Sequence, residues 1–238
     1  MKNMNDLNSN AESAENHLDT GNALSDQGDY ESAISEYNKA LDLNPSLTIA
    51  YFTYFKRGNA KDKIELYFEA ISDYDAAIHL NPDDGSAYYN RGVVKAKLGH
   101  PEAAIPDFDK AICLNSDLAE AYYNRGNAKD EIGQHFEAIS DYDTAIRLSP
   151  NDASIYNNRG IAKVRLGHPE AAILDFDVAI RLNPNSVNTY ASRGIAKREL
   201  GLADDAKRDL QTALNLAEKA GDEELKSKIM GSIKRLED

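Results

Sequence analysis

The sequence predicts an all-α protein built as an array of similar helix pairs. The dipeptide Arg-Gly recurs at 57, 91, 125, 159 and 193, always 34 residues apart, and alanines recur with the same step. A fixed period of this length is typical of repeat proteins in which each repeat is one helix-turn-helix unit. Within each repeat, apolar and small residues follow helical spacing in two successive runs. One pair cannot bury its apolar faces alone, so we expect the pairs to stack.

Six repeats are flanked by a polar segment and a last helix. We expect residues 1–13 to be disordered because they are polar. The repeats span residues 14–47, 48–84, 85–118, 119–152, 153–186 and 187–220. Residues 221–238 carry Leu225, Ile229, Ile233 and Leu236 at helical spacing, so we predict a helix that caps the last pair. The second repeat resembles the fourth and the third resembles the fifth, which indicates that a 68-residue unit was duplicated.

The fourth repeat shows the signals that delimit each helix. Its first helix is predicted to end at Gly133, because glycine adopts the left-handed conformation that closes many helices. Its second helix is predicted to stop before Pro150, since the residue before a proline avoids helical geometry. Two positions depart from this pattern. Glu65 replaces the turn glycine of the second repeat, and Pro106 lies inside a predicted helix, which we therefore expect to kink or to begin late.

The second repeat contains three extra residues. Pro45 and Gly58 are 13 residues apart, whereas the corresponding spacing in the third, fifth and sixth repeats is 10. Three residues are close to one helical turn, so we expect the first helix of this repeat to be longer by roughly 4.5 Å. The segment carries several aromatic rings, and two interpretations remain open. The rings pack between the first and second pairs, or Phe52 and Phe55 serve as apolar anchors for a ligand.

These residues resemble the tetratricopeptide repeat family, from about residue 14 to residue 220. The family pattern is an aromatic residue, a Leu-Gly-like pair, glycine, alanine, an aromatic residue, alanine and proline. In the fourth repeat these positions are Tyr122, Arg125-Gly126, Gly133, Ala138, Tyr142, Ala145 and Pro150. The resemblance implies a right-handed superhelical solenoid of six helix pairs plus the C-terminal capping helix. It also implies a concave groove, lined by the first helices, that usually binds protein segments.

Charged residues follow the same period. An arginine stands where the family usually has leucine, as in Arg159, with a lysine four residues later and an aspartate in the second helix, here Lys163 and Asp175. We expect each arginine to bury its stem and to reach an aspartate between helices. The alternative is that the arginines bind a ligand.

Asparagines occupy one position in three successive first helices, at Asn90, Asn124 and Asn158. They resemble the asparagine ladder in the superhelix of O-linked N-acetylglucosamine transferase, where carboxamides hydrogen-bond the backbone of an extended peptide. An amide offers both a donor and an acceptor, so it can pair with any peptide unit. The neighbouring candidates for the same peptide-binding wall are Tyr89, Tyr123 and Asn127, together with Phe52 and Phe55. The alternative is that the asparagines are solvated surface amides.

Composition excludes several classes of function. The chain has 27 Lys and Arg against 40 Asp and Glu, a net charge of −13, which disfavours nucleic acids and anionic membranes as partners. It has one cysteine, no long apolar run and no visible signal peptide, so we expect a cytoplasmic protein. Phosphate-loop, nucleophile-elbow and zinc-protease motifs are missing from the sequence. We therefore expect no catalytic residues, no cofactor and no metal site.

The sequence thus predicts a non-catalytic interaction module. A protein or peptide partner would bind in the concave groove through the asparagine ladder and the aromatic anchors. The alternative is a structural scaffold that self-associates, forming homo-oligomers through the repeat ends or through the aromatic segment from Tyr51 to Phe55.

Overall fold

The structure is a computed structural model that describes the backbone of residues 4–237 and the side chains of residues 12–234. In this part of the chain all regular structure is helical. The helices are α1 (Met4–Asp26), α2 (Tyr30–Asp42), α3 (Leu47–Lys63), α4 (Tyr67–Leu80), α5 (Gly85–Lys97), α6 (Pro101–Leu114), α7 (Ala119–Glu131), α8 (His135–Leu148), α9 (Ala153–Arg165), α10 (Pro169–Leu182), α11 (Val187–Glu199), α12 (Ala203–Ala220) and α13 (Glu223–Glu237). The predicted fold class, an all-α solenoid of helix pairs, is confirmed.

The chain divides into two compact units, Met1–Ser116 and Asp117–Asp238. Unit 1 contains three helix pairs, α1/α2, α3/α4 and α5/α6. Unit 2 contains α7/α8, α9/α10 and α11/α12, followed by α13. Within each unit the two helices of a pair pack on each other, and each pair packs on the next.

Small residues let the two helices of each pair approach closely. The alanines Ala138 and Ala145 of α8 are fully buried. Gly126 of α7 faces the ring of Tyr142, and a Cβ at that glycine would lie 2.7 Å from Cε1 of the ring. A side chain there would have to displace the ring, so this glycine is required by packing and not by backbone conformation.

The predicted ladder of arginines and aspartates is confirmed. Arg159 donates from Nε and Nη2 to Asp175 at 2.9 and 2.5 Å, and from Nη1 to Asp143 of the preceding second helix at 2.6 Å. Lys163 Nζ lies 2.7 Å from Oδ2 of Asp175. The arginine also stacks over the ring of Tyr156, with 5.6 Å from Cζ to the ring centroid. The same arginine–aspartate pair joins Arg57 to Asp73, Arg91 to Asp107, Arg125 to Asp141 and Arg193 to Asp209.

These ion pairs hold helices together, and they leave the charged groups little capacity to bind a ligand. Burial alone would raise the pKa of Asp209, but the hydrogen bonds from Arg193 and Lys197 outweigh it and hold that pKa below its usual range. The carboxylate is therefore charged at neutral pH and committed to its two cations.

The predictions for the irregular positions are confirmed in part. The lengthened helix is confirmed, because α3 has 17 residues and α5, α7, α9 and α11 have 13. Glu65 has a φ of +62°, so the left-handed turn is kept without glycine. The late start predicted for the helix with Pro106 is wrong, because α6 begins at Pro101 and contains Pro106. Pro106 is exposed, so water can solvate the carbonyl group that the missing N–H leaves unpaired.

The two ends of the chain also differ in outcome. The structure gives helix from Met4, whereas the sequence analysis expects disorder over residues 1–13; residues 1–3 lie outside the described part. No glycine or proline interrupts residues 4–20, so the helix of the first repeat can extend backward. The predicted capping helix is α13, whose Ile229 is buried in a cluster with Leu210 and Ala217. The side chain of Leu236 lies outside the described residues.

Candidate functional site

Each unit has a pocket between the first helices of two neighbouring pairs, and the two pockets are equivalent. In unit 2 the pocket has a volume of about 290 Å³ and is lined by Asn127, Asp130, Glu131, Tyr142, Asn158, Ile161 and Arg165. In unit 1 it has a volume of about 250 Å³ and is lined by Asn59, Asp62, Lys63, Tyr74, Tyr89, Asn90 and Val93. Six of the seven lining positions of unit 2 recur 68 residues earlier in unit 1, the length of the duplicated unit. We call these the unit-1 and unit-2 amide pockets.

Two asparagines and a tyrosine form the floor of the unit-2 amide pocket. The Tyr142 hydroxyl donates to Oδ1 of Asn127 at 2.8 Å, and Nδ2 of Asn158 donates to the same oxygen at 2.9 Å. Nδ2 of Asn158 also lies 3.1 Å from the Tyr123 hydroxyl. Both lone pairs of the Asn127 carbonyl are thus used, which fixes this side chain and leaves its Nδ2 without a hydrogen bond to any described residue.

The unit-1 amide pocket repeats this arrangement. The Tyr74 hydroxyl and Nδ2 of Asn90 donate to Oδ1 of Asn59 at 2.9 and 2.8 Å. Burial raises the pKa of both Tyr74 and Tyr142 well above the usual range. The two hydroxyls therefore remain protonated donors at any physiological pH, and the orientation of the asparagines does not depend on pH.

A second pocket of unit 2 adjoins the amide pocket and is apolar. It has a volume of about 220 Å³ and is lined by Ile161, Val164, Arg165, Phe176, Ser192 and Ile195. Ile161 and Arg165 line both pockets, so the two cavities are neighbours on one wall. We call it the apolar pocket.

The amide and apolar pockets reflect an alternation in the sequence. Where the second helix carries a tyrosine, the facing position of the first helix is asparagine, and the pairs are Asn22 with Tyr37, Asn59 with Tyr74 and Asn127 with Tyr142. Where the second helix carries a phenylalanine, as at Phe108 and Phe176, the corresponding first-helix residues are Val93 and Ile161. A phenylalanine has no hydroxyl to satisfy an amide, so polar and apolar sites alternate over the second to fifth repeats, while the first repeat is polar like the second.

Sequence models of two kinds match most of the described chain. A model described as "TPR repeat" matches residues 21–63, 66–99 and 131–167, and models described as "Tetratricopeptide repeat" match residues 85–118 and 153–186. The chain belongs to the tetratricopeptide repeat family. Tetratricopeptide repeats form protein–protein interaction modules, and this chain has that architecture.

Solved tetratricopeptide repeat structures share the fold. The crystal structure of YrrB, described as a TPR protein with an unusual peptide-binding site, is 28% identical, with a TM-score of 0.65 over 73% of this chain and 88% of YrrB. The crystal structure of MamA protein is 28% identical, with a TM-score of 0.67 over 73% of this chain and 96% of MamA. A tetratricopeptide repeat protein from Parabacteroides merdae is 21% identical, with a TM-score of 0.62 over 94% of this chain and 84% of its own length. No curated protein sequence matches the chain significantly.

The asparagines predicted from the tetratricopeptide pattern occupy the wall in a way the sequence did not reveal. Asn90 and Asn158 line the two amide pockets, and each is bonded to an asparagine of the preceding first helix. Asn124 is half-buried at the same position of α7. Sequence reasoning included Asn127 but missed Asn59. The signal that could have found it is the tyrosine that accompanies asparagine in the first, second and fourth repeats.

The predicted aromatic anchors divide into two groups. Phe55 packs inside unit 1, where its ring centroid lies 6.2 Å from those of Tyr51 and Tyr74. Phe52 is 47% exposed and lines a cavity of about 290 Å³ with the 74% exposed Leu47. The lengthened helix therefore contributes both to the packing between pairs and to an accessible apolar surface.

The tyrosines predicted for the wall are half-buried. The ring of Tyr89 lies 6.1 Å from that of Phe108, and the ring of Tyr123 lies 6.2 Å from that of Tyr142. Tyr89 lines the unit-1 amide pocket, and the hydroxyl of Tyr123 accepts from Asn158. Both rings support the wall and still reach its surface.

Charged residues surround the amide pockets and differ between the units. Asp62 pairs with Lys97 at 2.7 Å, and the equivalent Asp130 pairs with Arg165 and lies 2.6 Å from Nδ1 of His135. The next position is Lys63 in unit 1 and Glu131 in unit 2, and both side chains are exposed.

Neither metal chemistry nor a membrane span has support in the described residues. No group of three or more His, Cys, Asp or Glu side chains among them is placed to hold a metal ion. None of the described helices combines the length and apolar content that crossing a membrane requires.

Proposed function

We propose that this protein is a non-catalytic adaptor that binds a segment of a partner polypeptide on the first-helix wall of unit 2. The observation that supports the proposal is the pair of adjoining pockets, one amide-lined and one apolar, that share Ile161 and Arg165. The backbone of the segment would bind at the amide pocket while a neighbouring side chain enters the apolar pocket. The asparagine ladder and the aromatic anchors belong to the same proposal.

The amide pocket has the chemistry to hold a backbone. Because the carbonyl of Asn127 is already occupied by two donors, its Nδ2 is oriented and can donate to a peptide carbonyl. Each such hydrogen bond contributes a net of about 0.5–1.5 kcal/mol. Asn59 in unit 1 is held in the same way by Tyr74 and Asn90 and offers a second, equivalent contact point.

The apolar pocket supplies most of the affinity in this proposal. Transfer of a leucine-sized side chain from water into an apolar site contributes about 1.5–3 kcal/mol. Phe176 and Ile195 form the apolar lining, and Ser192 stands at the position that the ladder asparagines hold in earlier repeats. The likeness to YrrB, whose structure is described as having an unusual peptide-binding site, supports peptides as the class of ligand.

An array of fluorescent heptapeptides of random sequence tests the proposal on the full-length chain. We expect the peptides that bind to contain at least one leucine-like residue. Ile195→Ala should weaken the best peptide by about tenfold to a hundredfold, which corresponds to about 1.4–2.8 kcal/mol. Asn127→Ala should weaken it by about threefold to tenfold.

The matched control is Leu174→Ala, which removes the same type of side chain from α10 at a 67% exposed position outside the pockets. Binding to this variant should equal that of the wild type, and circular dichroism should show that all variants are folded. Equal binding of peptide by the wild type and by Ile195→Ala, or no bound peptide in the array, would contradict the proposal.

The exposed apolar surface of unit 1 favours a second candidate function, a scaffold that self-associates. Leu47 and Phe52 are large, solvent-exposed apolar side chains at the start of α3, and they lie beside Leu80. Exposed apolar patches are typical of association surfaces. A second copy of this chain is the partner that this alternative predicts.

A further inference from the structure

A third pocket of unit 2 lies near the starts of α9 and α11 and is polar without being charged. It has a volume of about 230 Å³ and is lined by Tyr123, Ala153, Ser154, Asn157, Asn158, Asn183, Ser186, Asn188 and Thr189. None of these side chains carries a charge at neutral pH. We call it the neutral pocket.

The neutral pocket contains a buried acceptor without a donor. Nδ2 of Asn157 donates to Oδ1 of Asn158 at 3.1 Å, but Oδ1 of Asn157 is buried and has no hydrogen-bond partner. It is the only such side-chain atom in the described part of the chain. A buried polar atom that stays unpaired costs about 1–3 kcal/mol, so a donor from outside the chain is favoured at this position.

An asparagine of this lining stands where earlier repeats carry an aromatic residue. The position of Asn157 is occupied by Tyr123 in α7 and by Tyr89 in α5, one and two repeats earlier. The ring of Tyr89 packs against Phe108, whereas Asn157 is too short to fill the same space. The volume of the pocket, about 230 Å³, is several times the volume of about 30 Å³ that one molecule occupies in liquid water. A small side chain fits in it.

Other groups of the lining are already bonded to the protein. Oγ of Ser186 and Oγ1 of Thr189 lie 2.7 Å apart and pair with each other, and the backbone N–H of Ser154 donates to Asp152 at 2.8 Å. Oδ1 of Asn183 accepts from the backbone of Asn185 at 3.2 Å. Among the described side-chain atoms of the lining, Oδ1 of Asn157 is the buried acceptor left without a donor, and this proposal takes it as the group that selects the ligand.

We propose that the neutral pocket binds the side-chain amide of a glutamine or asparagine in the partner segment, an inference that rests on the proposed function. A charged group is disfavoured because no lining charge would compensate its loss of water. An apolar group is disfavoured because it leaves Oδ1 of Asn157 unpaired. A carboxamide donates to that oxygen and also accepts from the Ser154 hydroxyl or the Asn188 amide, which the bonds named above do not use.

The position of Asn158 gives the recognition rule. Asn158 lines both the neutral pocket and the unit-2 amide pocket, and the amide pocket adjoins the apolar pocket. The segment therefore carries a glutamine or asparagine and an apolar side chain, both close to its backbone contact.

Small probes test the pocket directly on the full-length, ¹⁵N-labelled chain. The probe is propionamide, compared with the equally sized propionate and butanone at millimolar concentrations. We expect propionamide to cause saturable changes in the NMR signals of residues 154, 157 and 189, including the side-chain amide of Asn157. Propionate and butanone should cause none. Equal shifts with all three probes, or no saturable shift with propionamide, would overturn the proposal.

Two variants separate binding at the pocket from general effects. Asn157→Tyr introduces the residue that α5 and α7 carry at this position and should abolish the propionamide shifts in a folded protein. Asn151→Tyr makes the same change in the exposed turn before α9 and should leave the shifts unchanged. Shifts that persist in Asn157→Tyr place propionamide elsewhere and contradict the proposal.

The peptide experiment distinguishes this inference from the proposed function. In the best array peptide, replacing glutamine by glutamate or leucine should weaken binding by about tenfold for the wild type and have no effect for Asn157→Tyr. If peptides bind but their amide residues can be replaced freely, the inference is wrong and the proposed function stands. If no peptide binds, both are wrong, even when propionamide binds at Asn157.

Discussion

Replacing Asp175 by asparagine tests whether the charge ladder stabilises the repeats. Asp175 is 4% exposed and accepts two hydrogen bonds from Arg159, at 2.9 and 2.5 Å, while Lys163 lies 2.7 Å away. The change keeps the shape of the side chain and removes its negative charge. Two cations then face each other at a site from which water is mostly excluded.

The structure sets the expected magnitude. Removing one partner of a buried ion pair costs about 3–5 kcal/mol, because the other charge stays buried without compensation. The Arg159 and Lys163 side chains remain 17% and 22% exposed, and Arg159 keeps its hydrogen bond to Asp143. We therefore expect the lower end of that range, a loss of about 3 kcal/mol in the free energy of unfolding.

Urea unfolding followed by circular dichroism at pH 7 measures this loss. The matched control is Glu224→Gln, which removes a carboxylate that pairs with Lys228 on the surface of α13 and should have no measurable effect. A loss for Asp175→Asn that is no larger than for the control would refute the structural role of the ladder. Added salt should change the loss little, because the pair is screened only weakly.

Packing, pH and association each give a further prediction. Gly160→Ala should lower the free energy of unfolding by about 1–3 kcal/mol in a urea titration, because its Cβ would lie 2.6 Å from Cε1 of Phe176. Gly231→Ala, with no atom within 4 Å of the new Cβ, should raise it by about 0.5–1 kcal/mol. Burial raises the pKa of Tyr37 to about 12, above the unfolded value of about 10. The stability that the protonated Tyr37 contributes is therefore complete below pH 10 and is lost as the pH rises from 10 to 12. The free energy of unfolding, measured from pH 8 to 12, should fall less steeply with pH for Tyr37→Phe than for the wild type. An equal slope for the two proteins would contradict this. If the chain self-associates through α3, light scattering should show a concentration-dependent dimer that Phe52→Ser converts to a monomer.

Features that depend on period or on local chain geometry could be predicted from the sequence. The 34-residue step places an arginine and an aspartate, such as Arg159 and Asp175, in facing helices of the second to sixth pairs, so their contact follows from the repeat alone. The three extra residues before Gly58 add close to one turn, so they lengthen α3 with its apolar face nearly preserved.

Features that depend on how two repeats approach each other could not be predicted. Asn90 lies 31 residues after Asn59, and only the packing of α5 on α3 brings Nδ2 of one to Oδ1 of the other. The exposure of Phe52 and the burial of Phe55 likewise depend on where α4 and α5 lie. The neutral pocket has Asn157 where earlier repeats carry a tyrosine, but the space around it depends on how α9 and α11 pack.

The alternation of tyrosine–asparagine and phenylalanine–aliphatic repeats limits which changes in the number of repeats preserve the pattern of sites. A block of two repeats can be inserted or removed while the order of amide and apolar sites is preserved. Excision of residues 85–118 alone would place Asn127 one repeat after Asn59, so the apolar site between these two amide sites would be lost. A doublet of repeats is thus the unit of length that preserves the order of sites in the second to fifth repeats.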